Sequence, residues 1–305
     1  MRHAILLLPL LSACAATNTP EACRIVRVAE VPLRLAGNMP LVEVRINERP
    51  ALLLLDTGAE GMVVVEDSFA RLGLEHDYTR TMYATGLGAQ TGNWPSRPVP
   101  VALGPVTLKP TSLLVSPIAW PLRGRNRIDG LLGSQVLSAY DVDIDMAAGR
   151  FTLYEPRRCP DGPPPFAGPS MTLRATGNRA YKLTVPITVD GTELPAEVDT
   201  GASRTLVDAG RLGLREADLA TDRSSHTATA DPVGMLVHTH RFARLQVGTE
   251  TVDKPYLMVG SVQRPGYDAL LGTDYWRNRR VWISYAGRTL TIGPLKDALP
   301  KDGPR

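Results

Sequence analysis

Two segments of the chain carry the same four residues in the same order: Asp56-Thr57-Gly58-Ala59 and Asp199-Thr200-Gly201-Ala202. Each closes a short strand-like run, Leu53-Leu54-Leu55 in one case and Ala196-Glu197-Val198 in the other. An aspartate at the end of such a run sets a carboxylate at the mouth of a buried strand. The glycine lets the backbone turn sharply and lets another chain approach closely. One copy alone reads as ordinary turn chemistry. Two copies at matching places of a duplicated chain would meet on a pseudo-twofold axis. Carboxylates about 3 Å apart cannot both ionise, so the pair shares one proton and titrates in two separated steps. The ionised member can act as general base on a water while the protonated one polarises a carbonyl. That chemistry is direct attack of water on an amide, with no covalent intermediate.

The duplication extends well beyond these segments. Leu33–Asn38 recurs as Leu173–Asn178, and Arg71-Leu72-Gly73-Leu74 recurs as Arg211-Leu212-Gly213-Leu214. Asp129-Gly130-Leu131-Leu132-Gly133-Ser134 matches Asp268-Ala269-Leu270-Leu271-Gly272-Thr273, and Ala148-Gly149-Arg150 matches Ala286-Gly287-Arg288. The matches keep their order at a spacing of about 140 residues, the signature of a repeated unit. Between the copies, residues 157–169 are so rich in proline that they read as a semi-rigid linker. The organisation is therefore a leader over 1–14, a tether over 15–23, an N-terminal lobe over 24–156, the linker, a C-terminal lobe over 170–295 and a tail over 296–305.

Within each half the pattern predicts strands. Leu41–Ile46 and Tyr181–Val189 alternate apolar and polar residues, with Pro186 pointing to a sheet edge. Asp190-Gly191 has hairpin-turn chemistry, and Met62–Val65 and Arg204–Val207 read as further strands. Short helices are expected over Glu66–Leu72 and Ser134–Ala139, the latter with Ser134 as cap. The fold class is mostly β, bilobal, with pseudo-twofold related β-barrel lobes and few helices.

The paired Asp-Thr-Gly-Ala segments, with Leu131-Leu132-Gly133 and Leu270-Leu271-Gly272, resemble the retropepsin-like aspartic peptidases in their bacterial, exported, single-chain form. The resemblance implies an acid-protease-like fold, Asp56 and Asp199 as catalytic dyad, and Thr57 and Thr200 bracing the two loops across the axis. It implies that Gly58 and Gly201 hold the carboxylates through their amides. Ala59 and Ala202 stand beside substrate where family members with Ser or Thr lower an aspartate pKa, so activity at milder pH than pepsin is expected. A flap is expected between each Asp-Thr-Gly loop and the Leu-Leu-Gly motif. In the first half, Gly86 and Gly88 would form its mobile tip, unless the segment is a plain surface hairpin; the counterpart around 225–234 lacks that glycine pattern. A peptide or protein substrate is implied, with no cofactor and no metal, and activity as a monomer.

Met1-Arg2-His3 followed by an apolar stretch ending Leu11-Ser12-Ala13-Cys14 has the charge and length of a secretory signal. Those last residues resemble a lipobox, with Cys14 the lipid attachment site. The alternative is an ordinary signal cut near Ala16. A periplasm-facing lipoprotein is expected, with Ala15 pointing to the outer membrane. Cys23 and Cys159 then remain as an even pair that an oxidising compartment would allow to bridge, or as two free thiols. A net charge of +3 gives no polyanion signal, so nucleic acid is not an expected partner. His238 and His240 have metal-ligand spacing but no third ligand nearby, and read as strand histidines. Arg123, Arg125 and Arg127 form a basic loop that either selects acidic residues or is simply solvated. Two rival functions stay in view: a non-catalytic peptide-binding lipoprotein and a carboxylate-pair glycoside hydrolase.

Overall fold

A computed structural model describes residues 23–85, 90–116, 127–157, 159, 162–220, 222–227, 235–262 and 264–295. The leader with Cys14, the flap tip at Gly86 and Gly88, Arg123 and Arg125, residues 228–234 and the tail lie outside the described residues. Among the described residues the chain forms twenty-four strands and four helices of four residues each.

Each half builds the same local sheet. In the first, Arg49–Asp56 runs parallel to Gly130–Gly133, which pairs antiparallel with Val63–Val65, which in turn runs parallel to Leu114–Ser116. In the second, Thr192–Val198, Ala269–Leu271, Leu206–Asp208 and Tyr256–Gly260 repeat that order and those directions. Strands covered on both faces read as continuous apolar runs, which is why Leu53, Leu55, Leu132 and Leu271 are all fully buried. Both sheet paths stay open rather than closing on themselves, so the expected barrel lobes are open, mixed sheets.

The hairpins that turn these strands use left-handed backbone. Asp190 and Gly191 both have positive φ between Val189 and Thr192, and Asn47 with Glu48 does the same in the first lobe without a glycine. The strand Thr184–Val189 is not an edge: it pairs with Thr192–Val198 and with Arg244–Val247. Pro186 is accommodated because the second ladder begins only at Ile187, so its missing amide faces an open stretch. The helices Glu66–Phe69 and Ser134–Leu137 are shorter than expected. Gly133 occupies the cap position of the second, and Ser134 instead donates its hydroxyl to the Ala59 carbonyl at 2.8 Å.

The halves are joined by one six-stranded antiparallel stretch: Arg27–Ala36, Arg150–Tyr154, Asp141–Asp145, Arg280–Ser284, Thr289–Ile292 and Met171–Arg174. The pseudo-twofold passes between Asp141–Asp145 and Arg280–Ser284, which pair Asp141 with Ser284, Asp143 with Trp282 and Asp145 with Arg280. All three aspartates are buried. The Arg280 guanidinium grips the Asp143 carboxylate through Nε at 2.9 Å and Nη2 at 2.6 Å, and Arg157 lies 3.5 Å from Asp141. The Ala-Gly-Arg match between the halves proves to be one residue out of register. Gly149 (φ 64°) is equivalent to Arg288 (φ 56°), because Arg150 pairs with Asp145 as Thr289 pairs with Ser284.

A disulfide joins Cys23 to Cys159 with their Cα atoms 5.3 Å apart, tying the start of the first lobe to the linker across 136 residues. Closing so long a loop restricts the unfolded chain, so Cys23→Ser is expected to cost roughly 2–5 kcal/mol of stability. Equal melting temperatures for the two proteins under non-reducing conditions would refute this.

Candidate active site

Asp56 ends its strand opposite Gly133, and the amide of Asp199 donates to the Leu271 carbonyl at 3.1 Å, so each aspartate is held by the Leu-Leu-Gly strand of its own lobe. Two pairs of ties stand behind these strands. Arg71 reaches Asp129 at 2.5 Å and Arg211 reaches Asp268 at 2.9 Å, linking the duplicated Arg-Leu-Gly-Leu to the aspartate that opens each Leu-Leu-Gly motif. Asp129 also accepts from the Leu52 amide at 2.9 Å and the Ser68 hydroxyl at 2.6 Å. The carbonyls of Ala59 and Ala202 each accept from the first residue of the helix that follows the Leu-Leu-Gly strand, Ser134 and Thr273, through backbone amides at 2.8 Å in both lobes.

The threonines cross the boundary between lobes. The Thr57 amide donates to Thr200 Oγ1 at 3.1 Å and the Thr200 amide to Thr57 Oγ1 at 3.0 Å. Their hydroxyls donate onward to the carbonyls of Val198 at 2.6 Å and Leu55 at 2.7 Å. Four buried hydrogen bonds thus lock two loops that are far apart in sequence.

The glycines allow the carboxylates to meet. A Cβ on Gly58 would lie 2.5 Å from Asp199 Oδ2 and closer still to its Cγ; on Gly201 it would stand the same way against Asp56. Each glycine therefore backs the aspartate of the opposite lobe. Asp56 Oδ1 accepts from the Ala59 amide at 2.8 Å. Asp199 Oδ1 accepts from the amides of Gly201 at 2.8 Å and Ala202 at 3.0 Å. Asp199 is buried, while Asp56 keeps part of its surface open. Burial, and next the Asp199 charge, push the Asp56 carboxyl up to about 7. Burial likewise raises Asp199, against the pull of Lys182 and of the two amides.

On either side of the pair sits a small apolar cluster apart from the main core. Leu41, Leu54, Val63, Leu114, Ile128 and Leu131 gather with Met82 and Ala84 of the hairpin formed by Met82–Thr85 and Gln90–Asn93. In the second lobe Leu206, Val237, Val262, Tyr267 and Leu270 gather with Met235 and Met258. The hairpins differ as their sequences do. The first is a separate two-stranded sheet, whereas Arg223–Thr227 and Met235–Arg241 join the lobe's sheet through Tyr256–Gly260.

Of the other residues singled out in the sequence, His240 pairs with Asp222 at 2.6 Å and packs edge-on against Phe242. No group of three metal-ligating side chains gathers among the described residues. Arg127 donates to the Asp67 carbonyl at 2.7 Å. Two residues at the site escaped the sequence reading: Lys182 and Glu197, both buried. The duplication holds the signal for them, since they stand where the first half has Met39 and Leu54.

Two lobes of one topology, each delivering an Asp-Thr-Gly loop to a shared junction, define an aspartic-protease class of fold. The solved structure of an aspartic proteinase from Irpex lacteus is similar in fold, with a TM-score of 0.55 at 15% identity over 88% of this chain and 97% of that one. No curated protein matches the chain at a significant level. The profile of the aspartyl protease family matches residues 42–136 and 185–275, one stretch in each lobe and more than half of the chain together. The chain belongs to the aspartyl protease family.

Proposed function

We propose that the protein is an endopeptidase in which Asp56 and Asp199 share one proton and activate a water for attack on a peptide bond. The observation that carries this reading is the pair of carboxylates brought together by Gly58 and Gly201 with both threonine braces intact. Asp199, whose ionised form is favoured by the Gly201 and Ala202 amides and the Lys182 cation, serves as general base, and Asp56 carries the proton that polarises the substrate carbonyl. Apolar clusters on both sides of the dyad favour apolar side chains flanking the scissile bond. One chain supplies both aspartates, so the active species is a monomer. A peptide-binding protein without catalysis would have no use for two carboxylates set together at the lobe junction, and a glycosidase pair would be spaced for a sugar ring.

The test is digestion of a defined peptide mixture by the purified protein across about pH 3 to 8. Cleavage blocked by pepstatin is expected. Absence of cleavage throughout, or cleavage abolished only by a chelator or a serine-directed reagent, would overturn the proposal.

The cellular setting we infer is export and lipidation at Cys14, with the enzyme facing the periplasm from the outer membrane and processing envelope polypeptides. The Cys23–Cys159 disulfide supports an oxidising compartment. Cell fractionation reads this directly: the wild type is expected in the membrane pellet and Cys14→Ser in the soluble fraction, and a soluble wild type would refute it.

A further inference from the structure

The two sides of the dyad are not chemically alike. Along a strand, residues two apart share a face. Leu54 therefore lies on the face of Asp56, and Glu197 on the face of Asp199. In the first lobe this position is apolar: Leu54 packs in a cluster that includes Leu41 and Met39. In the second, Glu197 receives the ammonium of Lys182 at 2.7 Å, with both side chains almost wholly buried. Register makes the two pairs equivalent, since Leu41 faces Leu54 as Thr184 faces Glu197, with Met39 and Lys182 each two residues earlier.

Lys182 also crosses the lobe boundary. Its Nζ donates to the Gly58 carbonyl and lies 3.4 Å from the Thr57 carbonyl. Gly58 is the residue whose backbone rests against the Asp199 carboxylate. A continuous path thus runs from Glu197 through Lys182 to the loop that carries Asp56 and supports Asp199. Burying an ion pair is commonly no better for stability than a well-packed apolar pair. The first lobe shows that this fold accepts the apolar solution, so the ionic one in the second lobe calls for a reason other than stability.

The groups around it are few. Arg179, in the loop that leads to Lys182, lies 4.0 Å from Glu197 and 2.8 Å from Glu60 of the opposite lobe. Arg288 donates to the carbonyls of Arg179 and Lys182. The Tyr267 and Tyr285 phenols are raised by burial first and then by the Glu197 charge. Asp56 and Asp199 complete the set, and the Lys182 cation opposes the effect of burial on both.

Resting on the dyad reading above, we propose that Lys182, oriented by Glu197, is a positioning residue: it ties the Thr57–Gly58 loop across the lobe boundary and makes the two aspartates electrostatically inequivalent. Its contacts are with Glu197 and with the Gly58 and Thr57 carbonyls, and through them it sets how tightly the single shared proton is held. The structure itself names the variant that removes it, Lys182→Met with Glu197→Leu, which copies the first lobe's own pair into the second.

This double variant is expected to fold with an unchanged or higher melting temperature. Its kcat falls about tenfold or more, as slight misplacement of reacting groups does, while KM changes far less. Both limbs of its pH–rate profile move to higher pH, because of the two charges removed the Lys182 cation acts on both carboxylates more strongly than the Glu197 anion does. Glu197→Gln keeps the shape but leaves the cation uncompensated, and moves the limbs the other way. Lys182→Arg keeps the charge and restores the wild-type profile in part. A folded double variant with wild-type kcat and wild-type limbs would overturn the role of Lys182, and so would limbs that stay fixed in Glu197→Gln. Asp199→Asn assayed alongside separates the two levels. Turnover surviving in it removes the dyad reading, whereas an inactive Asp199→Asn beside an unaltered double variant removes only the proposal for Lys182.

Discussion

Asparagine at position 199 lowers peptide turnover by roughly 10³-fold, within the range expected when an essential general base is removed. Asp199→Asn keeps the side-chain oxygen that accepts from the Gly201 and Ala202 amides, so the loop and the threonine brace stay in place. The variant is expected to bind peptide as the wild type does while cleaving it at that reduced rate. Asp56→Asn is expected to be as inactive for a different reason, since the proton that polarises the carbonyl is then missing. The pH dependence follows from the same pair. Asp56 is pushed up to about 7, first by burial and then by the Asp199 charge. The singly protonated dyad therefore persists in mildly acidic solution, and turnover declines as pH rises through about 7. Stability runs in the same direction. The folded state holds a proton that the unfolded chain releases in the ordinary carboxylate range, so stability is fullest in acid and is lost as pH climbs toward 7. Asp56→Asn removes that loss and stabilises the protein above pH 7 by on the order of a few kcal/mol. Turnover within tenfold of wild type in either variant, or thermal stability that rises between about pH 5 and 7, would contradict this account.

The second large effect belongs to two residues without side chains. Gly58→Ala and Gly201→Ala each place a methyl group inside the carboxylate of the opposite aspartate. Relief requires the carboxylate to rotate away from its amide donors or the two loops to separate against four cross-lobe hydrogen bonds. Either movement displaces the reacting groups, and misplacement on the scale of 1 Å costs on the order of 100-fold in rate. Overpacking adds a destabilisation of about 1–3 kcal/mol. Gly61→Ala serves as the control in the same loop, because a Cβ there meets nothing within 4 Å and the backbone is not left-handed. The prediction fails if Gly201→Ala turns over peptide at the wild-type rate while folded to the same extent.

What could be seen in the sequence was local or repeated. The Asp-Thr-Gly loops, the Leu-Leu-Gly strands and the Asp190-Gly191 turn are each specified within a few residues by backbone chemistry, and the duplication supplied the pairing that spacing alone lacks. The features that stayed hidden depend on partners far along the chain. Asn47 tolerates left-handed backbone, but nothing about Glu48 marks such a turn; the register of the two flanking strands imposes it. Ser134 has the chemistry of a helix cap, but the Ala59 carbonyl competes for its hydroxyl. The Ala-Gly-Arg match looked straightforward, yet strand pairing puts Arg288 in the place of Gly149 and Thr289 in that of Arg150. Lys182 and Glu197 read as two polar residues in alternating runs until the sheet brought them together. The sheet that joins the lobes was not visible at all, because Asp141–Asp145 and Arg280–Ser284 differ most where they meet.

That difference has a consequence for assembly. A second copy of the N-terminal half, offering Asp141–Asp145 to itself in the same antiparallel register, would set Asp143 against Asp143 and Asp141 against Asp145 in a buried sheet. Like charges directly opposed are unfavourable, and the Arg280 fork that relieves Asp143 would be absent. Two copies of the C-terminal half would instead bring Trp282 against Trp282 and leave Arg280 without its carboxylate. Neither half can replace the other. The molecule resembles a heterodimer written on one chain: the two strands at its seam complement each other, and neither complements itself.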